Sequence, residues 1–155
     1  MPKDVDAALG ELPLTSALPR VVLDTNVVLD WLLFDEPSVT ELASAVVTGR
    51  VLWLATAAMR GEMAHVLGRG LAAARGADPA RLVAVWDRHC TELPPAPPAA
   101  THLRCTDTDD QKFIDLALAS GAHWLISRDR AVLKVRRRAA QHGLTIAPPV
   151  QWRLE

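Results

Sequence analysis

The sequence predicts an α/β fold in which a central parallel sheet is flanked by helices on both faces. Three observations predict it. Short β-branched apolar runs recur along the chain, as at Val21-Val-Leu23, Val51-Leu-Trp-Leu-Ala55 and Trp124-Leu-Ile126. They alternate with longer stretches of helical period that begin at capping residues and end at glycines. No internal repeat interrupts this alternation, and strands alternating with helices is the pattern of a parallel α/β sheet. A chain of 155 residues, half of them hydrophobic and 23% charged, has the length and composition of one globular domain. We place an N-terminal tail at 1–19, the domain at 20–147 and a C-terminal extension at 148–155.

The elements follow in order. Pro2, Gly10, Pro13 and Pro19 break up the tail, leaving room for one short helix over Val5 to Leu12. Arg20 to Asp24 reads as a buried strand. Asp24-Thr25-Asn26 ends it, and Val27, Val28, Leu29, Trp31, Leu32 and Leu33 continue as a helix. Ser38-Val-Thr-Glu41 has the form of a capping box, so a helix is expected from about residue 39 to Thr48, with Gly49 as its stop. Val51–Ala55 is the second strand. Thr56 caps a helix that carries Glu62 and His65 and ends near Gly68 or Gly70. Asp78-Pro79 opens another helix with Leu82, Val85 and Trp86 on its apolar face. Pro94-Pro-Ala-Pro-Pro98 is an extended connector. Asp107-Thr-Asp-Asp110 leads into a helix over Phe113 to Leu118, closed by Gly121. His123–Ser127 is the third strand. A short helix within the basic segment Arg128–Arg138 and a last strand at Leu144–Ile146 complete the order.

Composition excludes several classes. No apolar run reaches the ~20 residues of a membrane span, and the charged start (Lys3, Asp4, Asp6) is not a secretory signal, so a cytoplasmic location is expected. Cys90 and Cys105 have no metal-knuckle spacing and are expected as reduced thiols. The five histidines are scattered, which argues against a His-built zinc site. The formal net charge of -1 speaks against binding polyanions by bulk positive charge, but the charges are segregated. Acids gather at 24, 62, 107–110 and 129, and bases at Arg128, Arg130, Lys134, Arg136, Arg137 and Arg138.

In α/β sheets, ligands bind beyond the carboxyl ends of the strands. Asp24 closes the first strand there and Asp129 follows the third. Asp110 starts the helix leading into the third strand, and Glu62 lies two turns along its own helix. Four converging carboxylates with no evident Arg partners would repel one another, and a divalent cation is the natural partner. Oxygen donors without His or Cys select Mg²⁺ or Mn²⁺. The plainer readings are local. Asp24 could only cap its helix, Glu62 only face solvent, and Asp129 only turn the chain. One or more of Asp107, Asp109 and Asp110 is a helix cap, and Asp107 or Asp109 could bind a second ion. Asp115 is structural or solvated. The tryptophans read as core, with Trp152 the best placed to stack on a base.

The run Val21-Val-Leu-Asp24-Thr25-Asn26-Val27-Val28-Leu29 resembles the opening motif of PIN-domain proteins. Ala57-Ala-Met-Arg-Gly-Glu62 resembles their second motif. Asp107-Thr-Asp-Asp110-Gln-Lys-Phe-Ile-Asp-Leu-Ala117 and Ala122-His-Trp-Leu-Ile-Ser127-Arg-Asp129 are similar to the third and fourth. The resemblance covers about residues 20–147. It implies a PIN-like three-layer sandwich and a Mg²⁺- or Mn²⁺-dependent ribonuclease holding one or two ions. The activity would be phosphodiester hydrolysis by a metal-activated water. By the same resemblance Asp24, Glu62, Asp110 and Asp129 form the acidic site, supported by Asn26, Ser127 and Asp107. The basic segment would contact RNA. The stretch from Asp107 to Asp129 most resembles the branch that holds VapC-like toxins of type II toxin–antitoxin pairs, which implies an antitoxin partner and a homodimer. Asp30 is an extra acid outside the motifs. The alternatives are a catalytically weak PIN-like module that binds RNA or protein, a flap-type DNA nuclease without its long insertions, and a phosphotransfer receiver domain without its strand-end Lys.

Overall fold

The computed structural model describes residues 18–100 and 103–154. The expected helix at Val5 to Leu12 lies outside the described residues. Five strands form one sheet: β1 (Arg20–Leu23), β2 (Leu52–Thr56), β3 (Cys90–Leu93), β4 (Trp124–Ile126) and β5 (Thr145–Ala147). Their order is β3-β2-β1-β4-β5, and every pairing is parallel. The predicted α/β class therefore holds. Val21, Val22, Trp53, Leu54, Leu125 and Ile126 are completely buried, as befits strands covered on both sides.

The order places a topological switch at the middle of the sheet. From β1 the chain moves outward through β2 to the β3 edge, then returns to pair β4 against the other side of β1. Right-handed crossovers running in opposite lateral directions put their helices on opposite faces. In such sheets the ligand crevice lies beyond the carboxyl ends of the strands at this switch, here β1 and β4.

The helices are α1 (Thr25–Leu32), α2 (Thr40–Val47), α3 (Ala57–Val66), α4 (Ala72–Ala74), α5 (Pro79–His89), α6 (Gln111–Ala119), α7 (Arg130–Leu133) and α8 (Arg136–Ala140). Thr56 and Asp78 cap α3 and α5 as expected, accepting from the Met59 N–H at 3.3 Å and the Ala80 N–H at 3.0 Å. Tryptophan packing locks one helical layer to the sheet. Trp53 on β2 meets Trp31 of α1 and Trp86 of α5 edge-on, with ring centroids 5.4 and 4.6 Å apart.

Four expectations need correction. The capping box at Ser38 does not form. Pro37–Val39 is a 3₁₀ turn capped instead by Glu36, whose carboxylate accepts from the Ser38 N–H, and α2 begins at Thr40 without a side-chain cap. The strand β3 was not anticipated, because Cys-Thr-Glu-Leu is short and polar. An edge strand need bury only one residue, here Leu93. The basic segment forms two short helices rather than one. Trp152 is 3% exposed and belongs to the core, which removes it as a platform for base stacking.

Candidate active site at the carboxyl edge of the sheet

Asp24 follows β1 and is 3% exposed. Its Oδ1 accepts from the Asn26 backbone N–H at 2.8 Å, so the helix-capping reading is correct as far as it goes. Its Oδ2 does something a cap does not require. It accepts from the Ser127 hydroxyl at 2.7 Å, across the switch between β1 and β4. The same Ser127 oxygen accepts the Asp129 N–H at 3.0 Å. Ser127 is fully buried, so this relay fixes Asp24 and the turn carrying Asp129 relative to each other. Burial pushes the Asp24 carboxyl above its ordinary range. The Ser127 and Asn26 donors hold it down, while the negative charges of Asp129 and Glu62 push it up again.

Asp110 sits at the N-cap of α6, the position where an aspartate normally bonds the helix N–H groups. It makes no such bond. Instead one oxygen from each of Asp110, Asp129 and Asp107 lies within 4.8 Å of the others. Burial is the largest influence on the Asp110 carboxyl, followed by the charge of Asp24. A hydrogen bond with Asp129 and the charges of Asp129 and Asp107 add to it, and together they push it up to about 7. Asp129 also caps α7, accepting from Ala131 N–H at 2.7 Å and Val132 N–H at 3.4 Å. Asp107 accepts from the Asp109 N–H at 2.9 Å, which tightens the turn before α6.

Three oxygen donors in this space, with no His or Cys among them, fit a hard divalent cation. The Asp110 side chain in particular has left its helix for the cluster, and a positive ion there would meet the charge that crowds it.

Glu62 reaches the same region from α3 but is not alone. Its Oε2 lies 2.7 Å from the Lys112 ammonium and accepts from the Thr25 hydroxyl at 3.2 Å. The four acids have no evident Arg partner in the sequence; the partner of Glu62 is a lysine. Lys112 was missed because a lysine in the first turn of a helix reads as solvated. The signal was available, since that same turn was expected to face the crevice with Asp110. Asn26 is exposed, and its contribution to Asp24 comes from the backbone.

Gln111 was also missed. It is buried, and its amide bonds the Cys105 N–H, the Leu103 carbonyl and the Asp115 carboxylate. It pins the loop that presents Asp107 and Asp110. Asp115 is structural, holding the Ala99 N–H at 2.8 Å.

Of the basic segment, Arg128, Arg130, Lys134, Arg136, Arg137 and Arg138 are all exposed. Arg128 pairs at 2.6 Å with Asp30, whose side chain is only 8% exposed. Of the others, Arg130 opens α7 directly after Asp129, Lys134 follows that helix, and Arg136 to Arg138 open α8.

A model of the PIN domain matches residues 20–131, most of the described domain. The chain belongs to the PIN domain family. PIN domains are generally nucleases that act on nucleic acids and typically use divalent metals. The acidic cluster of this PIN domain lies at the carboxyl edge of the central strands. Comparison with curated proteins gives no match, and comparison with solved structures gives none either. No helix of the described PIN domain is long and apolar enough to cross a membrane.

Proposed function

We propose that this PIN domain is a Mg²⁺- or Mn²⁺-dependent endoribonuclease and the toxin of a type II toxin–antitoxin pair. The observation that carries the nuclease reading is the convergence of Asp107, Asp110 and Asp129 oxygens within 4.8 Å, with the Asp110 side chain withdrawn from its own helix. Asp24 bounds the cluster and is held rigid by Ser127. A divalent ion bound there supplies positive charge for a phosphoryl group and acidifies a water. The chain's own part is to fix the donors before substrate arrives. Ser127 aligns Asp24 with the Asp129 turn, Gln111 sets the acidic loop, and the exposed bases of α7 and α8 offer contacts to the RNA backbone. The toxin assignment is supported by the likeness of the stretch from Asp107 to Asp129 to the toxin branch of the family, and the antitoxin and a homodimer come with it.

Calorimetry with Mn²⁺ and cleavage of a single-stranded RNA test the nuclease reading together. Wild type should bind Mn²⁺ and cut only with it. Asp24→Asn and Asp110→Asn should each lose cleavage while keeping the wild-type circular dichroism. Absence of metal binding by wild type would leave a binding module as the better description. For the toxin reading, growth arrest on expression should be relieved by the product of an adjacent small reading frame.

A further inference from the structure

We propose that Lys112 supplies the second positive charge of the crevice, with Glu62 as its counter-ion rather than a metal ligand. The inference rests on the metal-dependent reading above and deepens it.

Three elements converge to build this pair. Thr25 comes from the start of α1, Glu62 from the second turn of α3, and Lys112 from the first turn of α6. The Glu62 Oε2 carries two donors, the ammonium at 2.7 Å and the Thr25 hydroxyl at 3.2 Å. A metal ion claiming that oxygen would have to compete with both donors. Glu62 also stands apart from the carboxylates that do converge, since only Asp107, Asp110 and Asp129 bring their oxygens within 4.8 Å among the described residues. Through Glu62 the ammonium is tied to Thr25, the residue that follows Asp24 at the carboxyl end of β1.

The pair faces open space, with side chains 34% and 36% exposed. An isolated exposed ion pair contributes little to stability, which leaves its position unexplained by folding. An ammonium has three N–H donors, and one of them on Glu62 leaves others for an incoming phosphate oxygen. Lysine serves as a phosphate-binding point charge in other enzymes. Here Glu62 and Thr25 hold that charge in place, and one divalent ion at the Asp107–Asp110–Asp129 cluster completes the site.

Ion stoichiometry tests this directly. Wild type should bind one Mn²⁺ by calorimetry, with the electron paramagnetic resonance spectrum of an uncoupled ion. Glu62→Gln should still bind one, with affinity within about threefold. Lys112→Met, which frees Glu62, should bind two and show an exchange-coupled spectrum. At Mg²⁺ saturating the first site, Lys112→Met should also cut RNA at least tenfold more slowly. If wild type binds two ions and Glu62→Gln loses one, Glu62 is a ligand. The inference then falls and the nuclease reading stands. It also falls if Lys112→Met binds one ion and cuts at the wild-type rate. If wild type binds none, both fall.

Discussion

Ser127 contributes one hydroxyl and meets two demands, donating to Asp24 and accepting from Asp129. Ser127→Ala leaves a buried carboxylate oxygen without its donor, which costs about 1–3 kcal/mol. Chemical denaturation should show this loss. Because the hydroxyl holds the Asp24 carboxyl down, its removal should also move the acid limb of the pH–rate profile upward. Asp30 behaves differently. Burial raises its carboxyl, the Arg128 guanidinium pulls it down, and Glu36 and Asp24 push it up. The net direction is upward, so its ionised form is a burden to the folded state. The Arg128 side chain is 50% exposed and can be solvated alone, so Asp30→Asn should change stability by less than about 1 kcal/mol, or increase it. A loss above about 2 kcal/mol would show that the pair with Arg128 holds the fold. Asp24, Asp110 and Asp129 were legible in the sequence because their carboxylates sit at strand and helix ends. The Lys112 contact was not, because it joins residues of α3 and α6 whose side-chain directions no local pattern encodes.

Two helix starts in the site differ in what their aspartates do, and this difference can be measured. Asp129 caps α7, whereas Asp110 does not cap α6. In metal-free protein, Asp129→Ala should lower stability by about 0.5–2 kcal/mol, the usual cost of a lost cap. Asp110→Asn should leave it unchanged or raise it, because it relieves repulsion without removing a cap. Thermal unfolding of both variants in a chelator checks this contrast. Gly121, which ends α6, has φ +66°, and an added Cβ would lie 3.3 Å from the Arg20 guanidinium. Gly121→Ala should cost roughly 1–2 kcal/mol from the left-handed backbone alone. Strong apolar periods and turn residues made most elements readable. The edge strand β3 escaped because pairing with β2, not its own composition, makes it a strand. The Ser38 box failed because the Glu36 carboxylate captured the Ser38 N–H, the donor that such a box assigns to Glu41.

Across the whole molecule, segregation of charge matters more than its sum of -1. Asp24, Asp30 and Asp110 all have carboxyls raised above the ordinary value of 3.8, with Asp110 at about 7. The folded state then holds more protons than the unfolded chain between those limits. For these groups, stability is greatest below the unfolded value and declines as pH rises toward 7. Asp110 is the chief contributor, facing Asp24, Asp107 and Asp129. Metal-free protein should therefore melt at lower temperature at pH 7.5 than acids alone at their ordinary values would predict. Mn²⁺ should raise the melting temperature more at about pH 7.5 than at about pH 5, where protons compete for the same oxygens. An equal rise at both would argue against carboxylate ligands. The fold class was legible from alternation, but the strand order was not, because no local signal says that the chain will turn back at β3.

That return has a consequence for synthesis. The hydrogen bond from Ser127 to Asp24 joins residues 103 positions apart. A nascent chain carries Asp24 long before Asp129, which emerges only with β4 and the turn after it. For most of its translation the polypeptide can hold β1 and β2 but no complete cluster. The acidic cluster is completed late and all at once, when β4 slots against β1 and brings Asp129 with it.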